Sequence, residues 1–450
     1  MERKFDVIVV GAGAPGEVVA GRLGEAGLEV AIVEERLVGG ECSFYACMPS
    51  KALLRPVELA AETERVPGVA TAALDVRAVL ARRDEVIHDL DDSSQVPWLE
   101  ERGVELVRGH GRLDGEKRVA VRDEALTARR AVVVATGSFA TIPPVPGLAD
   151  ARPWTNVEAT TAKEVPGRLF VLGGGVVGVE LAQAWSALGS HVTLVHRGER
   201  LLEREERFVS DQIATALRDG GVDVRLETSV TAVSRNGVVR VELDRSEPVE
   251  ADELLVAIGR TPRTADLGLE TVGLEPGELV EVDASLRVRG RDWLYAVGDV
   301  NGRALLTHMG KYQARLAADV ILGKQVRLRS DGAASPGVIF TDPQIGSVGL
   351  TVAAAREAGL RVRAVEVETG GNAGGSFVGK GAPGTTLVVV DEDRRVIVGA
   401  TITGAEVAEA LHAATIAVVA EVPLEELWHA VPAFPTRSEL WLKLLEAYGM

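Results

Sequence analysis

Cys42 and Cys47 are the only cysteines among 450 residues, and they lie five positions apart. Thiols so close in sequence form a redox pair, a metal site, or two inert buried side chains. The metal reading is the weakest, because there is no third cysteine and the first histidine is His88. In a regular helix an i,i+5 pair is separated by about 7.5 Å of rise and points to different sides. A disulfide needs Cα atoms roughly 4.4–6.8 Å apart. The pair therefore bonds only if the local helix is distorted, and a strained, accessible disulfide is an easily reduced one. Two cysteines are too few for a secreted disulfide framework. That points to the cytosol, where a close pair serves redox or metal chemistry.

Two glycine motifs have the same internal spacing: Gly11, Gly13 and Gly16, then Gly173, Gly175 and Gly178. Each lies between a strand-like run and a helical pattern, the context that a dinucleotide-binding turn requires. The first glycine permits the turn, the second lets a pyrophosphate approach the backbone, and the third lets helix pack on strand. The helix N-terminus then offers amides and a positive dipole end to phosphates. Glu34 lies 18 residues after Gly16, where a carboxylate accepts bonds from an unmodified ribose. The same count from Gly178 reaches His196, followed by Arg197 and Arg200. Cationic or donor groups there suit a 2′-phosphate, so NADPH is expected in preference to NADH. Gly178 argues the other way, since many NADPH sites carry Ala at that position.

The elements that must hold these residues follow from the apolar pattern. Phe5 to Val10 and Glu29 to Glu34 read as strands around a helix that runs to about Gly27. Leu53 to Glu64 and Val76 to Arg102 read as helices, and Ala131 to Ala135 reads as a buried strand ending in Thr136-Gly137-Ser138. The pattern then restarts with a strand at Leu169 to Leu172, a helix to about Leu188, and a strand at His191 to Val195; this unit closes near Leu254 to Gly259. This is a duplicated nucleotide-binding unit. Trp293 to Gly298 reads as one more buried strand. Beyond Pro336, short strands alternate with helices and no glycine fingerprint appears, which suggests an α+β domain. With 46% apolar and 26% charged residues the chain is globular, and its net charge of −17 disfavours nucleic acid or an anionic membrane as partner. No signal peptide is visible, and no apolar run is long enough to span a bilayer.

The stretch Gly39-Gly40-Glu41-Cys42 to Cys47-Met48-Pro49-Ser50-Lys51 follows the first glycine motif. With the second motif, Ala135-Thr136-Gly137 and Gly298-Asp299, it resembles the class I pyridine nucleotide–disulfide oxidoreductases. That family includes dihydrolipoyl dehydrogenase, glutathione reductase, mercuric reductase and the soluble transhydrogenases. The resemblance covers nearly the whole chain. It implies an α/β fold of two Rossmann-like domains and a C-terminal α+β dimerisation domain. The FAD domain would be 1–150, completed by 272–330; the NAD(P)H domain 151–271; and the dimerisation domain 331–450. It also implies a cytoplasmic homodimer that reduces a small-molecule electron acceptor. By resemblance, Cys47 is the thiol against the flavin and Cys42 the interchange thiol. Lys51 lies near the flavin's redox-active nitrogen, paired with Glu180, and Asp299 bonds the ribityl chain. Gly40, Thr136 and Gly137 are expected to help bind FAD, and Gly259 the second nucleotide.

One departure changes the expected chemistry. The family's disulfide-exchanging members carry a C-terminal HPTxSE segment, in which the His is the acid–base and the Glu orients it. Here the segment reads Phe434-Pro435-Thr436-Arg437-Ser438-Glu439. Phe cannot shuttle a proton, and the nearby His429 reads as a helix-end or surface residue. Glu439 remains. Mercuric reductases also lack the His but carry a C-terminal cysteine pair, which this chain does not have. The expected function is an FAD-dependent NAD(P)H oxidoreductase with an active CxxxxC pair and a non-standard acceptor: a quinone, a metal ion or an unusual disulfide. Two alternatives are a dihydrolipoyl dehydrogenase with an atypical acid–base and, outside catalysis, a flavin-bearing redox sensor.

Overall fold

A computed structural model describes residues 2–70, 73–381 and 384–450, the side chain of Glu2 excepted. The chain folds as two compact units. One comprises Met1–Pro49, Asp84–Thr141 and Arg260–Gly332; the other comprises Ser50–Arg83, Ile142–Gly259 and Ala333–Met450.

A seven-stranded sheet organises the first unit. Its parallel part runs Val104–Arg108, Val30–Glu34, Glu2–Val10, Glu124–Val134, and Leu294–Ala296 joins the last of these. Arg118–Val121 and Gly111–Leu113 extend it antiparallel. Val7 to Val9 and Val132 to Val134 have no exposed surface. Strands buried on both faces read as unbroken apolar runs, and each such side chain contributes roughly 1.5–3 kcal/mol. Helices Ala14–Glu25 and Thr307–Ile321 join this core through Val19, Leu23, Ala314 and Ala317. The register aligns the strand ends: Val10 lies opposite Val33 and Val134, and Val134 opposite Ala296. The segments leaving those ends, Gly11, Glu34, Ala135 to Ser138 and Gly298-Asp299, therefore emerge along one edge.

The second unit repeats this plan on a smaller scale. Its parallel sheet runs Asp223–Arg225, His191–Val195, Arg168–Leu172, Glu253–Val256. Leu172 pairs with both Val195 and Val256, so Gly173, His196 and Ala257 leave from one edge. A three-stranded antiparallel sheet, Val230–Asn236, Val238–Leu243 and Val249–Ala251, lies in the same unit. The C-terminal part is a five-stranded antiparallel sheet ordered Gly337–Ile339, Gln344–Gly349, Val396–Gly404, Thr385–Asp391, Val362–Glu368. Helices Val407–Val419 and Leu440–Tyr448 share its core through Leu411, Ala414 and Leu444.

Some elements differ from expectation. The single helix expected over Val76 to Arg102 is two, Val76–Val86 and Val96–Glu100, around a turn at His88–Leu90. His88, Asp89 and Leu90 all have positive φ, and Asp91 Oδ1 accepts the N–H of Ser93 at 2.8 Å. Asp and Ser compete with helix by bonding local backbone, and they win here. The helix expected from Leu53 begins at Cys47. Helices Arg207–Asp219 and Thr307–Ile321 and strand Gln344–Gly349 were not foreseen.

Candidate functional site

Gly11 has φ +102°, and a Cβ there would stand 2.5 Å from the Ala135 carbonyl oxygen. A Cβ on Gly16 would stand 1.9 Å from the carbonyl oxygen of Gly11 itself. The sequence thus forces a tight loop that delivers Gly13 to the start of helix Ala14–Glu25. A Cβ at Gly13 would meet nothing within 4 Å, so open space remains against the amides. Gly40 closes on the same loop, its would-be Cβ 2.7 Å from Gly13 Cα. Glu34 Oε2 accepts the Ala12 N–H at 2.7 Å, and Oε1 accepts the Arg36 N–H at 2.7 Å. Burial pushes the Glu34 carboxyl above its ordinary value despite those two bonds.

A cavity of about 360 Å³ follows this edge, lined by Gly11, Gly13, Glu34, Gly40, Cys42, Thr136, Gly137 and Asp299. Ser138 Oγ donates to Asp299 Oδ2 at 2.6 Å, and Thr136 Oγ1 donates to the Arg263 carbonyl at 2.9 Å. The open space over Gly13, the carboxylate of Glu34 and the polar end at Asp299 fit FAD. One feature was not foreseen. Glu41, next to Cys42, receives Arg260 Nη2 at 2.5 Å and Arg263 Nη2 at 3.0 Å. Burial raises the Glu41 carboxyl, but the two guanidinium groups outweigh it and hold it below its ordinary value.

The cysteines meet because the helix breaks between them. Cys42 lies in the short helix Gly40–Phe44, Tyr45 leaves helical geometry at φ −135°, and Cys47 opens the next helix, Cys47–Arg65. Both are reduced. The Cys42 thiol bonds Cys47, and that bond, with burial and the neighbouring sulfur's charge, pushes it above its ordinary value; Thr307 and Lys311 pull it down. The Cys42 thiol is therefore harder to ionise than an ordinary cysteine. Thr307 Oγ1 lies 3.3 Å from Cys47 Sγ. Thr307 opens helix Thr307–Ile321, and a helix N-terminus favours a thiolate.

In the second unit Lys51 and Glu180 are 2.8 Å apart. Glu180 is buried, and its other oxygen accepts the Phe340 N–H at 2.8 Å. The Lys51 ammonium also lies 4.9 Å from the centre of the Phe340 ring. Removing either partner would strand a charge against apolar surroundings. The glycine loop repeats the first closely: Gly173 has φ +120°, and a Cβ on Gly178 would lie 1.9 Å from the Gly173 carbonyl oxygen. Glycine at 178 is therefore required by this loop, and an alanine there would not fit. Gly175 caps helix Val176–Ala187, and Gly259 has φ +149°. His196 turns inward, its Nδ1 accepting the Gly174 N–H at 3.2 Å. Arg197 is exposed.

Phe434 is 76% exposed. Glu439 Oε2 is buried and has no hydrogen-bond partner among the described residues. His429 is the exposed last residue of helix Leu424–His429. Sequence reasoning missed Glu41, Ser138, Arg260, Arg263 and Thr307. Arg260 had a signal in following Gly259, and Ser138 in closing Ala135-Thr136-Gly137. Glu41 had only its place beside Cys42. Among the described residues, no helix is long and apolar enough to cross a membrane.

Comparison with known proteins agrees with this geometry. The pyridine nucleotide-disulphide oxidoreductase family matches residues 5–315, and its dimerisation domain matches 335–444. A mercuric reductase of Staphylococcus aureus is 30% identical over 444 residues, which cover 97% of this chain and 81% of that protein. A glutathione reductase of Burkholderia cepacia is 31% identical over 451 residues, 98% of each. Among solved structures, the Cu(II) complex of the HOCl-induced flavoprotein disulfide reductase RclA from Escherichia coli superposes with a TM-score of 0.87 at 26% identity, covering 99% of both chains. Two Rossmann-like domains followed by a dimerisation domain, with a CxxxxC pair at the edge of the first, make this chain an enzyme of the pyridine nucleotide–disulfide oxidoreductase family.

Proposed function

We propose that the chain is an FAD-containing, NADPH-preferring oxidoreductase that reduces its Cys42–Cys47 disulfide and passes the electrons to a non-standard acceptor. That acceptor is a quinone, a metal ion or an unusual disulfide, one whose reduction needs no proton from the position of Phe434. The observation that carries this reading is an exposed Phe434 five residues before Glu439, a glutamate with one buried oxygen that has no hydrogen-bond partner among the described residues. A carboxylate suited to orienting an imidazole has no imidazole to orient. The dimerisation domain supports a homodimer.

FAD, when bound, supplies the two-electron link between the nicotinamide and the disulfide. The chain's own groups do the rest. Glu34 and the Gly11 loop hold the nucleotide end, and Asp299, fixed by Ser138, receives the polyol. Lys51 keeps a cation in place through Glu180 and favours anionic charge on its neighbour. Reducing the disulfide takes two electrons and two protons and leaves two thiols. Cys47 has Thr307 and the helix end beside it, and the surroundings of Cys42 hold its proton more tightly than an ordinary thiol's. Attack by Cys42 on an external disulfide would release a thiolate, which Phe434 cannot protonate. Among the acceptors, a metal ion gains support from RclA, which was solved as its Cu(II) complex.

Steady-state turnover with lipoamide and with a quinone tests this for wild type and Phe434→His. Wild type should reduce lipoamide slowly, by the roughly 10²–10⁴-fold that a positioned acid–base contributes, and the quinone readily. Phe434→His should raise the lipoamide rate, with Glu439 orienting the new ring. A wild-type lipoamide rate equal to the quinone rate would overturn the reading in favour of a dihydrolipoyl dehydrogenase with another acid.

A further inference from the structure

Three cations follow the strand His191–Val195, and the sequence assigns them to a 2′-phosphate: His196, Arg197 and Arg200. The fold uses two of them elsewhere. His196 Nδ1 accepts the Gly174 N–H at 3.2 Å. A ring nitrogen that accepts carries no hydrogen, so this Nδ1 has none to donate to a phosphate. Arg200 binds the carbonyl oxygens of Glu203 and Glu205, at 2.5 and 2.9 Å, and Ser210 Oγ at 3.1 Å. It fastens the turn after the strand and leaves Arg197, which makes no hydrogen bond or ion pair among the described residues, facing solvent.

The turn that Arg200 fastens brings a carboxylate to the same place. Glu203 Oε1 lies 3.5 Å from His196 Nε2. A Cβ on Gly198 would stand 1.8 Å from that oxygen, so the carboxylate lies folded over the Gly198 backbone. Beneath it, His196 Nε2 is buried and has no hydrogen-bond partner among the described residues.

The geometry points to Glu203 as a specificity-determining residue: a carboxylate delivered from the turn, not from the strand, that opposes a 2′-phosphate and accepts from the 2′-hydroxyl of NADH. The inference rests on the reading of this loop as the NAD(P)H site. Beside the strand end Arg197 then stands with Glu203 close by, where the sequence shows three cations. A 2′-phosphate gains Arg197 but meets like charge from Glu203; an unmodified ribose gains an acceptor. The enzyme therefore uses both nucleotides, with its NADPH preference held down by one side chain.

Calorimetric binding of adenosine 2′,5′-bisphosphate and adenosine 5′-phosphate to the FAD-loaded enzyme tests this apart from turnover. Glu203→Gln keeps the shape and removes the charge. It should tighten the 2′-phosphorylated ligand on the order of 10-fold, as expected for removing one like charge at the protein surface, and leave the other unchanged or weaker. Glu203→Asp should restore the wild-type ratio. Arg197→Gln should weaken the 2′-phosphorylated ligand alone. If Glu203→Gln moves both ligands equally or neither, while Arg197→Gln stays selective, Glu203 is only a turn residue and the inference falls. If neither ligand binds the wild type, the reading of the loop as a nucleotide site falls with it.

Discussion

The two glycine loops use different side chains to bond the same backbone amide. In the first, the N–H after Gly11 goes to the carboxylate of Glu34; in the second, the N–H after Gly173 goes to the imidazole of His196. The duplication reaches further. A Cβ on Gly11 would strike the Ala135 carbonyl, and one on Gly173 the Ala257 carbonyl, at 2.5 and 2.4 Å. The acidic residue on the helix shifts by one position. Glu17 follows Gly16, where the second loop has the buried Val179, and Glu180 comes next to meet Lys51. The loops share the close approaches of their first and third glycines and differ in the side chains around them. Backbone geometry here is common property, and the side chains at the strand ends are not.

Substituting the third glycine separates the loops most sharply. Gly16→Ala should give a colourless protein and Gly178→Ala a yellow one that reduced nicotinamide nucleotides no longer bleach, because each Cβ would lie 1.9 Å from a carbonyl oxygen of its own loop. Absorbance of the purified variants checks both, and a colourless Gly178→Ala would reverse the assignment of the two sites.

The strand-end residues come next. Glu34→Ala removes charge-assisted bonds worth roughly 1.5–3 kcal/mol and should weaken FAD by about 10- to 100-fold, measured by flavin fluorescence during dialysis. His196→Ala removes a neutral bond worth roughly 1 kcal/mol and should weaken NADH and NADPH alike by about 5-fold. Equal losses from the two substitutions would mean that carboxylate and imidazole are interchangeable here.

The smallest effect concerns Glu17. Burial pushes its carboxyl up to about 7, Lys311 opposes the shift and Glu34 adds to it. The folded apoprotein therefore binds a proton that the unfolded chain releases near pH 4.5. Stability is full below that value and is lost as pH rises through 7. Urea unfolding of the apoprotein should show a decline across pH 4.5–7 of at most ~3 kcal/mol. Glu17→Gln should remove that decline, while Val179→Gln should cause a loss at every pH. A Glu17→Gln profile that still declines as steeply would assign the dependence to other groups.

How much of this was legible depended on distance along the chain. The glycine loops and the Cys42–Lys51 stretch are local patterns whose spacing states their geometry. The Lys51–Glu180 pair was legible through family resemblance alone. Nothing local links Glu41 to Arg260 and Arg263, because folding alone brings those segments together. Thr307 was hidden for a similar reason, since the chemistry at its helix start exists only where the helix meets the cysteines. Glu203 lies in Leu201-Leu202-Glu203-Arg204-Glu205-Glu206-Arg207, which reads as a solvated charged run until His196 folds inward beside it.

The last strand of the first sheet, Leu294–Ala296, also fixes the order in which the molecule can be completed on the ribosome. Its partner, Glu124–Val134, is made some 160 residues earlier. At about 5–20 residues per second that edge waits on the order of 10–30 s with unpaired amides and carbonyls near Val132 to Val134. Asp299 and Thr307 emerge later still, so the nascent chain has no finished flavin cradle until synthesis has passed them. A chain arrested before residue 294 carries a bare parallel edge, and is a client for chaperones rather than for cofactor.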